Sequence, residues 1–148
     1  MTVGLAQYLY PNVDAPSTRE LYAILAFDVL LSPMLSLYFD VDDASGAFYG
    51  NLKIGHSINM NKFTLGASAS IGWANSDYNG YYIGINNSAV NDLTVGTNAG
   101  YPITEAIAIS ASATYSTLLD PDADNAAQGI YYNDGDVLVG TIGISFAF

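Results

Sequence analysis

The segment AIAISASATYST, residues 106–117, places Ile107, Ile109, Ala111, Ala113 and Tyr115 at alternate positions, with Ala108, Ser110, Ser112, Thr114 and Ser116 between them. Successive side chains of a strand point to opposite faces, so this reads as one β-strand with an apolar face and a face of small polar groups. The polar side is the unusual one. A sheet facing water carries Lys and Glu outward, whereas this face holds only Ala, Ser and Thr.

The same alternation recurs along the chain. Residues 63–75 set Phe63, Leu65, Ala67, Ala69, Ile71 and Trp73 against Thr64, Gly66, Ser68, Ser70 and Gly72. Residues 140–148 set Ile142, Ile144, Phe146 and Phe148 against Thr141, Gly143 and Ser145. Further strands are predicted over 20–31, 35–42, 49–58 and 92–101, and over 2–10, where either face could be the apolar one. Helical spacing is sustained nowhere. Three connections are tight (32–34, 59–62, 102–105) and four are longer and polar or acidic (11–18, 42–46, 76–89, 119–136). That asymmetry is the pattern of an up-and-down meander and of outer-membrane barrels.

Composition narrows the choice. The chain has 148 residues, enough for one domain, and is 51% apolar but only 11% charged, against about a quarter charged in ordinary globular domains. No stretch reaches the roughly 18 apolar residues of a spanning helix; the oily run 21–31 is interrupted by Asp28. There is no cysteine, and hence no disulfide or thiolate metal site. The opening MTVGLAQYLYP lacks the basic and apolar regions of a leader, so an exported protein's leader is expected to be absent from it. A net charge of −11 with three basic residues excludes nucleic acid as a partner.

These readings predict an all-β fold: an antiparallel, up-and-down transmembrane β-barrel of about eight strands, residues 1–148 forming one domain. Its oily face meets outer-membrane lipid and its small polar face a lumen, because backbone groups in lipid are satisfied only if the sheet closes. Phe63, Tyr101, Phe146 and Phe148 toward one end, with Trp73 and Tyr115 toward the other, fit a pair of aromatic girdles.

Residues 8–43 also carry a recognisable set of motifs: Tyr10-Pro11-Asn12, Thr18-Arg19-Glu20-Leu21-Tyr22, Leu30 to Pro33, and Tyr38-Phe39-Asp40. Together they resemble the TorF-like porins, a family of bacterial outer-membrane proteins. The resemblance implies a barrel in the bacterial outer membrane. It also implies that Phe146 and the terminal Phe148 form the signal read by the barrel assembly machinery. Relatives of that kind have a leader and further strands ahead of Thr2, so the chain is expected to be the C-terminal part of a larger barrel or a shortened member.

On the predicted lumen side Lys53 stands among Tyr22, Asp28, Tyr38, Asp40, Tyr49 and Asn51. The cluster reads either as a constriction favouring cations or as an internal network of ion pairs and hydrogen bonds. The second is favoured, because buried charges must pair. Asp120, Asp122 and Asp124 have the spacing of a calcium loop, but Asn125 and Tyr131 stand where that loop needs Gly and Glu. A solvated acidic loop is the preferred reading, with weak divalent-cation binding as the alternative. The single histidine, His56, and its neighbour Ser57 point to opposite faces, so no nucleophile–base pair forms. No enzyme and no cofactor are expected. The expected function is a porin-like passive channel for small hydrophilic solutes, its acidic mouth disfavouring anions. The alternatives are a non-conducting barrel that displays loops for adhesion, and a soluble lipocalin-like binder.

Overall fold

The structure is a computed structural model that describes residues 1–11, 16–130 and 135–147. Eight strands run in chain order: β1 (Thr2–Tyr8), β2 (Thr18–Ala26), β3 (Met34–Asp40), β4 (Phe48–Met60), β5 (Phe63–Ala74), β6 (Ala89–Pro102), β7 (Ile107–Leu118) and β8 (Val137–Phe146). They form one sheet in which each strand is antiparallel to its sequence neighbour. Tight connections gather at one end and long ones at the other. The β4–β5 turn is only Asn61–Lys62, where Asn61 takes a left-handed φ of 54°, a conformation Asn tolerates better than most residues.

Cross-strand register confirms how the side chains sort. One face carries the partners Leu21 and Phe39, Leu35 and Leu52, Ile71 and Leu93, and Ile109 and Ile144. The other carries Tyr22, Tyr38 and Tyr49 side by side on β2, β3 and β4. β1, ambiguous in sequence, is settled by its neighbour: Gly4 lies opposite Tyr22, and Leu5 opposite Leu21. The Tyr22 ring lies over Gly4 in the space a side chain would need.

The predicted closure does not occur. β1 and β8 stand at opposite edges and do not pair among the described residues, so the all-β antiparallel sheet is open and is not a transmembrane barrel. Alternation fixes which way each side chain faces. Closure depends on tilt and stagger accumulated over every strand, which no single strand encodes. An open sheet encloses no lumen, so the porin-like channel and the non-conducting display barrel both lose their structural basis.

Burial is inverted relative to a water-soluble sheet. Among the described residues the buried apolar side chains are Ala44, Ala47, Ala74 and Ala123, whereas Thr18, Glu20, Ser36, Asp40, Asn79 and Asn91 are buried. The large aliphatic side chains are outside, with Leu138 74% and Ile142 87% exposed. The described interior is thus polar, and hydrogen bonds organise it.

Two further expectations are corrected. The second strand ends at Ala26, not Leu31, because Leu31 and Ser32 take left-handed φ values of 67° and 39° in a wider turn. In that turn the Phe27 N–H donates to the Pro33 carbonyl at 3.0 Å. The long connections, read as irregular, contain helices α1 (Ser76–Tyr82) and α2 (Pro121–Ile130). Neither is long and apolar enough to cross a membrane.

Candidate functional site

The long-connection end of the polar face holds a cleft built from aromatic rings. Tyr22, Tyr38 and Tyr49 occupy one cross-strand row, with centroids 6.4 Å and 6.2 Å apart. Helix α1 extends the row: Tyr49 stacks on Tyr78 at 5.3 Å, and Tyr78 meets Tyr82 at 4.6 Å. Tyr8 and Tyr10 approach from the β1 side, and Glu20 completes a cavity of about 400 Å³ lined by Tyr8, Tyr10, Glu20, Tyr38, Tyr49, Tyr78 and Tyr82. This lies in the range of small-ligand and side-chain pockets.

The helix is held in place by amides. Asn75 caps α1, its Oδ1 accepting from the N–H groups of Tyr78 at 3.0 Å and Phe48 at 2.9 Å, while its Nδ2 donates to the Gly46 carbonyl at 2.8 Å. One asparagine thus satisfies an otherwise orphaned helix donor and ties α1 to the β3–β4 connection. Asn79, fully buried, exchanges amide hydrogen bonds with Asn91 of β6 at 3.1 Å and 2.6 Å. The β5–β6 register shifts between Gly72 and Trp73, so Asn91 is the extra residue of a bulge. Bulges re-aim side chains, and this one accompanies the contact between Asn91 and the helix.

Charge in the cleft is negative. Glu20 and Asp40 are direct cross-strand partners, an arrangement that like charges disfavour. Asp40, 1% exposed, accepts from the Thr18 hydroxyl at 2.5 Å and the Asp42 N–H at 2.9 Å. Tyr8 is pushed up to about 12, by burial first and then by its hydrogen bond to Glu20. Tyr82 rises above the usual phenol range for the same leading reason, with the charges of Glu20 and Asp40 adding to it. Tyr81 beside the cleft bonds Asp43, and that bond, ahead of burial, lifts it to about 12. These phenols therefore stay protonated and able to donate at neutral pH. The one ion pair among the described residues, Arg19 with Asp42 at 2.9 Å, is exposed.

At the back of the cleft the Tyr49 hydroxyl donates to Asp92 at 2.8 Å. Gly72 makes room for this bond, since a Cβ there would collide with both the Asp92 carboxylate and the Tyr49 hydroxyl. Burial raises the Asp92 pKa above its usual value, with the Tyr49 hydrogen bond opposing it. A raised carboxylate pKa means the folded chain binds the proton more tightly than the unfolded one. The associated stability is present below the unfolded pKa and lost as pH climbs through the folded one. Asp92→Asn keeps an oxygen for Tyr49 and removes that loss. Its melting temperature relative to the parent should therefore be higher at pH 7 than at pH 3, by about 2–4 °C, a modest shift because the group is only half buried. Circular-dichroism melts at the two pH values measure it.

Of the predicted lumen residues, the structure brings Tyr22, Tyr38, Tyr49 and Asn51 together, with Asn51 near the Tyr49 hydroxyl at 3.4 Å, while Asp40 lies farther along β3, opposite Glu20 and bonded to Thr18. Lys53 shares their face but lines a separate cavity of about 590 Å³ toward the tight-turn end, with Ser32, Met34 and Asn98. Asp28 lies exposed beyond the end of β2, outside the cluster. Asp120 acts as a helix cap: its Oδ1 accepts from the N–H groups of Asp122 at 3.0 Å and Ala123 at 2.9 Å. Asp124 accepts from Gln128 at 3.0 Å. Among the described residues no three His, Cys, Asp or Glu side chains gather to hold a metal. Phe146 is exposed at the end of β8. Phe148, Tyr131 and Asn12 lie outside the described residues. Sequence reasoning missed Tyr8, Tyr10, Glu20, Tyr78 and Tyr82 as cleft residues, although the tyrosine-rich composition and the Asn75–Ser76 helix start were signals available to it.

Residues 14–127 match the family model described as MltA-interacting protein MipA. The chain belongs to the MipA family. The matched span runs from just before β2 into α2, and so includes every cleft residue except Tyr8 and Tyr10. No curated protein matches the chain. Membership corrects the resemblance to TorF-like porins: the Thr18–Tyr22 and Tyr38–Asp40 motifs belong to a MipA-family sheet. MipA-family proteins are associated with the bacterial outer membrane, as the sequence led one to expect in general terms. The family is described by an interaction and not by a reaction. The partners expected of a barrel, namely its assembly machinery and the solutes or ions of a pore, lose their basis in an open sheet, and the matching family is named for an interaction with MltA.

Proposed function

We propose that residues 1–148 act as one interaction domain seated at the outer membrane, with the apolar sheet face against lipid and the tyrosine-lined end holding a protein partner of the MltA type. The inverted burial carries this reading: large aliphatic side chains are outside while carboxylates and amides are buried. Apolar surface of that extent marks a lipid or protein contact. The family name supplies the partner class, and the cleft is where α1 meets the polar face of the sheet.

Retention of an MltA protein by vesicle-bound chain tests the proposal. The parent chain should retain it, and Tyr38→Leu combined with Tyr82→Leu should lower retention about tenfold, as loss of two aromatic anchors at an interface does. Vesicle binding should be unchanged. Equal retention by parent and variant would remove the cleft from the partner site.

A further inference from the structure

We infer that the cleft formed by Tyr8, Tyr10, Glu20, Tyr38, Tyr49, Tyr78 and Tyr82 receives a basic side chain, lysine or arginine, of the protein partner. The inference rests on the proposed role of this end of the sheet in partner binding, and it names the chemistry that the partner must present there.

The argument begins with Glu20. This carboxylate is nine-tenths buried, lines the cleft, and faces Asp40 directly across the β2–β3 ladder. The Tyr8 phenol donates to it, but a phenol brings no charge. The only ion pair among the described residues, between Arg19 and Asp42, does not line the cleft. Among the described residues no basic side chain lines the cavity, so the Glu20 carboxylate meets no cation of this chain there, and an incoming one would supply its counter-charge.

The walls favour the same ligand. Aromatic faces attract ammonium and guanidinium groups through the ring quadrupole, most strongly when water is excluded. Tyr38, Tyr49, Tyr78 and Tyr82 form one continuous aromatic wall beside Glu20. The stem of a lysine or arginine is apolar and packs against rings while its head meets a carboxylate. A volume of about 400 Å³ admits such a side chain. Alternative ligands fit less well. An anion meets Glu20, Asp40 and a chain of net charge −11. A wholly apolar group leaves the buried carboxylate without compensation.

The test titrates the full chain, in a polyoxyethylene detergent that carries neither ammonium nor sugar, with N-acetyl-lysine methylamide and N-acetyl-arginine methylamide. Tyrosine ring proton shifts report binding. N-acetyl-norleucine methylamide and N-acetyl-citrulline methylamide are the uncharged counterparts, and N-acetylglucosamine probes the competing chemistry. The basic compounds should bind at least tenfold more tightly than their counterparts. Glu20→Gln, which preserves shape, should abolish that preference, and Tyr82→Leu, on the helix and away from the sheet, should weaken binding several-fold. Equal shifts from lysine and norleucine compounds would overturn the inference, as would a response to the sugar alone. So would an unchanged preference in a Glu20→Gln variant whose circular dichroism matches the parent. Because no partner protein is present, retention of an MltA protein without lysine preference refutes this inference alone, and lysine preference without retention refutes only the choice of partner.

Discussion

Asn79→Leu should lower the unfolding free energy by about 3 kcal/mol and loosen helix α1 from β6. Asn79 is fully buried, and its Nδ2 donates to the Asn87 carbonyl at 3.0 Å and to Asn91 Oδ1 at 3.1 Å, while its Oδ1 accepts from Asn91 Nδ2 at 2.6 Å. Leucine has the same branching and is larger, so the effect is not a cavity. It comes from leaving the buried Asn91 amide without donor or acceptor, each orphaned group costing roughly 1–3 kcal/mol. The main chain of Asn79 matters too: its carbonyl accepts from the N–H groups of Ile83, Gly84 and Ile85, closing the helix. Gly84, at a φ of 84°, takes the left-handed position that commonly follows a helix end. Those bonds survive the substitution, so α1 persists as a turn but loses its anchor on β6, keeping only the Asn75 tie to Gly46 and Phe48.

The companion variant separates the mechanisms. Asn79→Leu with Asn91→Leu removes both halves of the pair and should recover part of the loss, because two apolar partners leave less to satisfy than one stranded amide. A double variant no more stable than the worse single one would show that the amides are not the reason. Detergent-solubilised melts followed by circular dichroism measure stability. The Tyr49–Tyr78 stack, at 5.3 Å, gives an independent readout, since its ring shifts vanish when α1 swings away.

Much of this sheet is written in its alternation. Leu21 opposite Phe39 and Ile109 opposite Ile144 lie on one face, and Tyr22, Tyr38 and Tyr49 on the other, because a period of 2 leaves no choice once one residue is placed. The asymmetry of connection lengths was equally legible. Closure was not, since the edges of β1 and β8 carry no local mark of whether they meet. The helices were hidden for a different reason. α1 has seven residues, including Gly80, and no apolar stripe, so only its Asn75 cap distinguishes it from a loop. In α2 the spacing of Asp120, Asp122 and Asp124 is that of a calcium loop, yet Asp120 before Pro121 is also a cap followed by the residue best suited to a first helical position. The Asn91 bulge shows least of all, for an Asn within a strand can mark several kinds of irregularity. The tyrosine row could be seen strand by strand, but its continuation through Tyr78 and Tyr82 depended on a helix the sequence did not announce.

Leu138→Asp combined with Ile142→Asp should reduce association with outer-membrane-like vesicles about a hundredfold or more, with little effect on the fold. Both side chains lie on the apolar face of β8, opposite Tyr115 and Ala111 of β7. They are 74% and 87% exposed, so they contribute almost nothing to burial within the chain. Whatever they stabilise must lie outside it. Covering a Leu or Ile side chain contributes about 1.5–3 kcal/mol, and two such losses lower a partition constant by at least two powers of ten. Thr141→Asp combined with Ser145→Asp is the matched control: same strand and same added charge, but on the polar face. Flotation of each variant with vesicles, alongside circular dichroism to verify the sheet, distinguishes charge from position. If both pairs depress flotation equally, lipid is responding to net charge, and the apolar face is not the side that meets the membrane. If only the first pair does, the apolar face, with its exposed Leu138 and Ile142, is the face that seats the sheet on lipid.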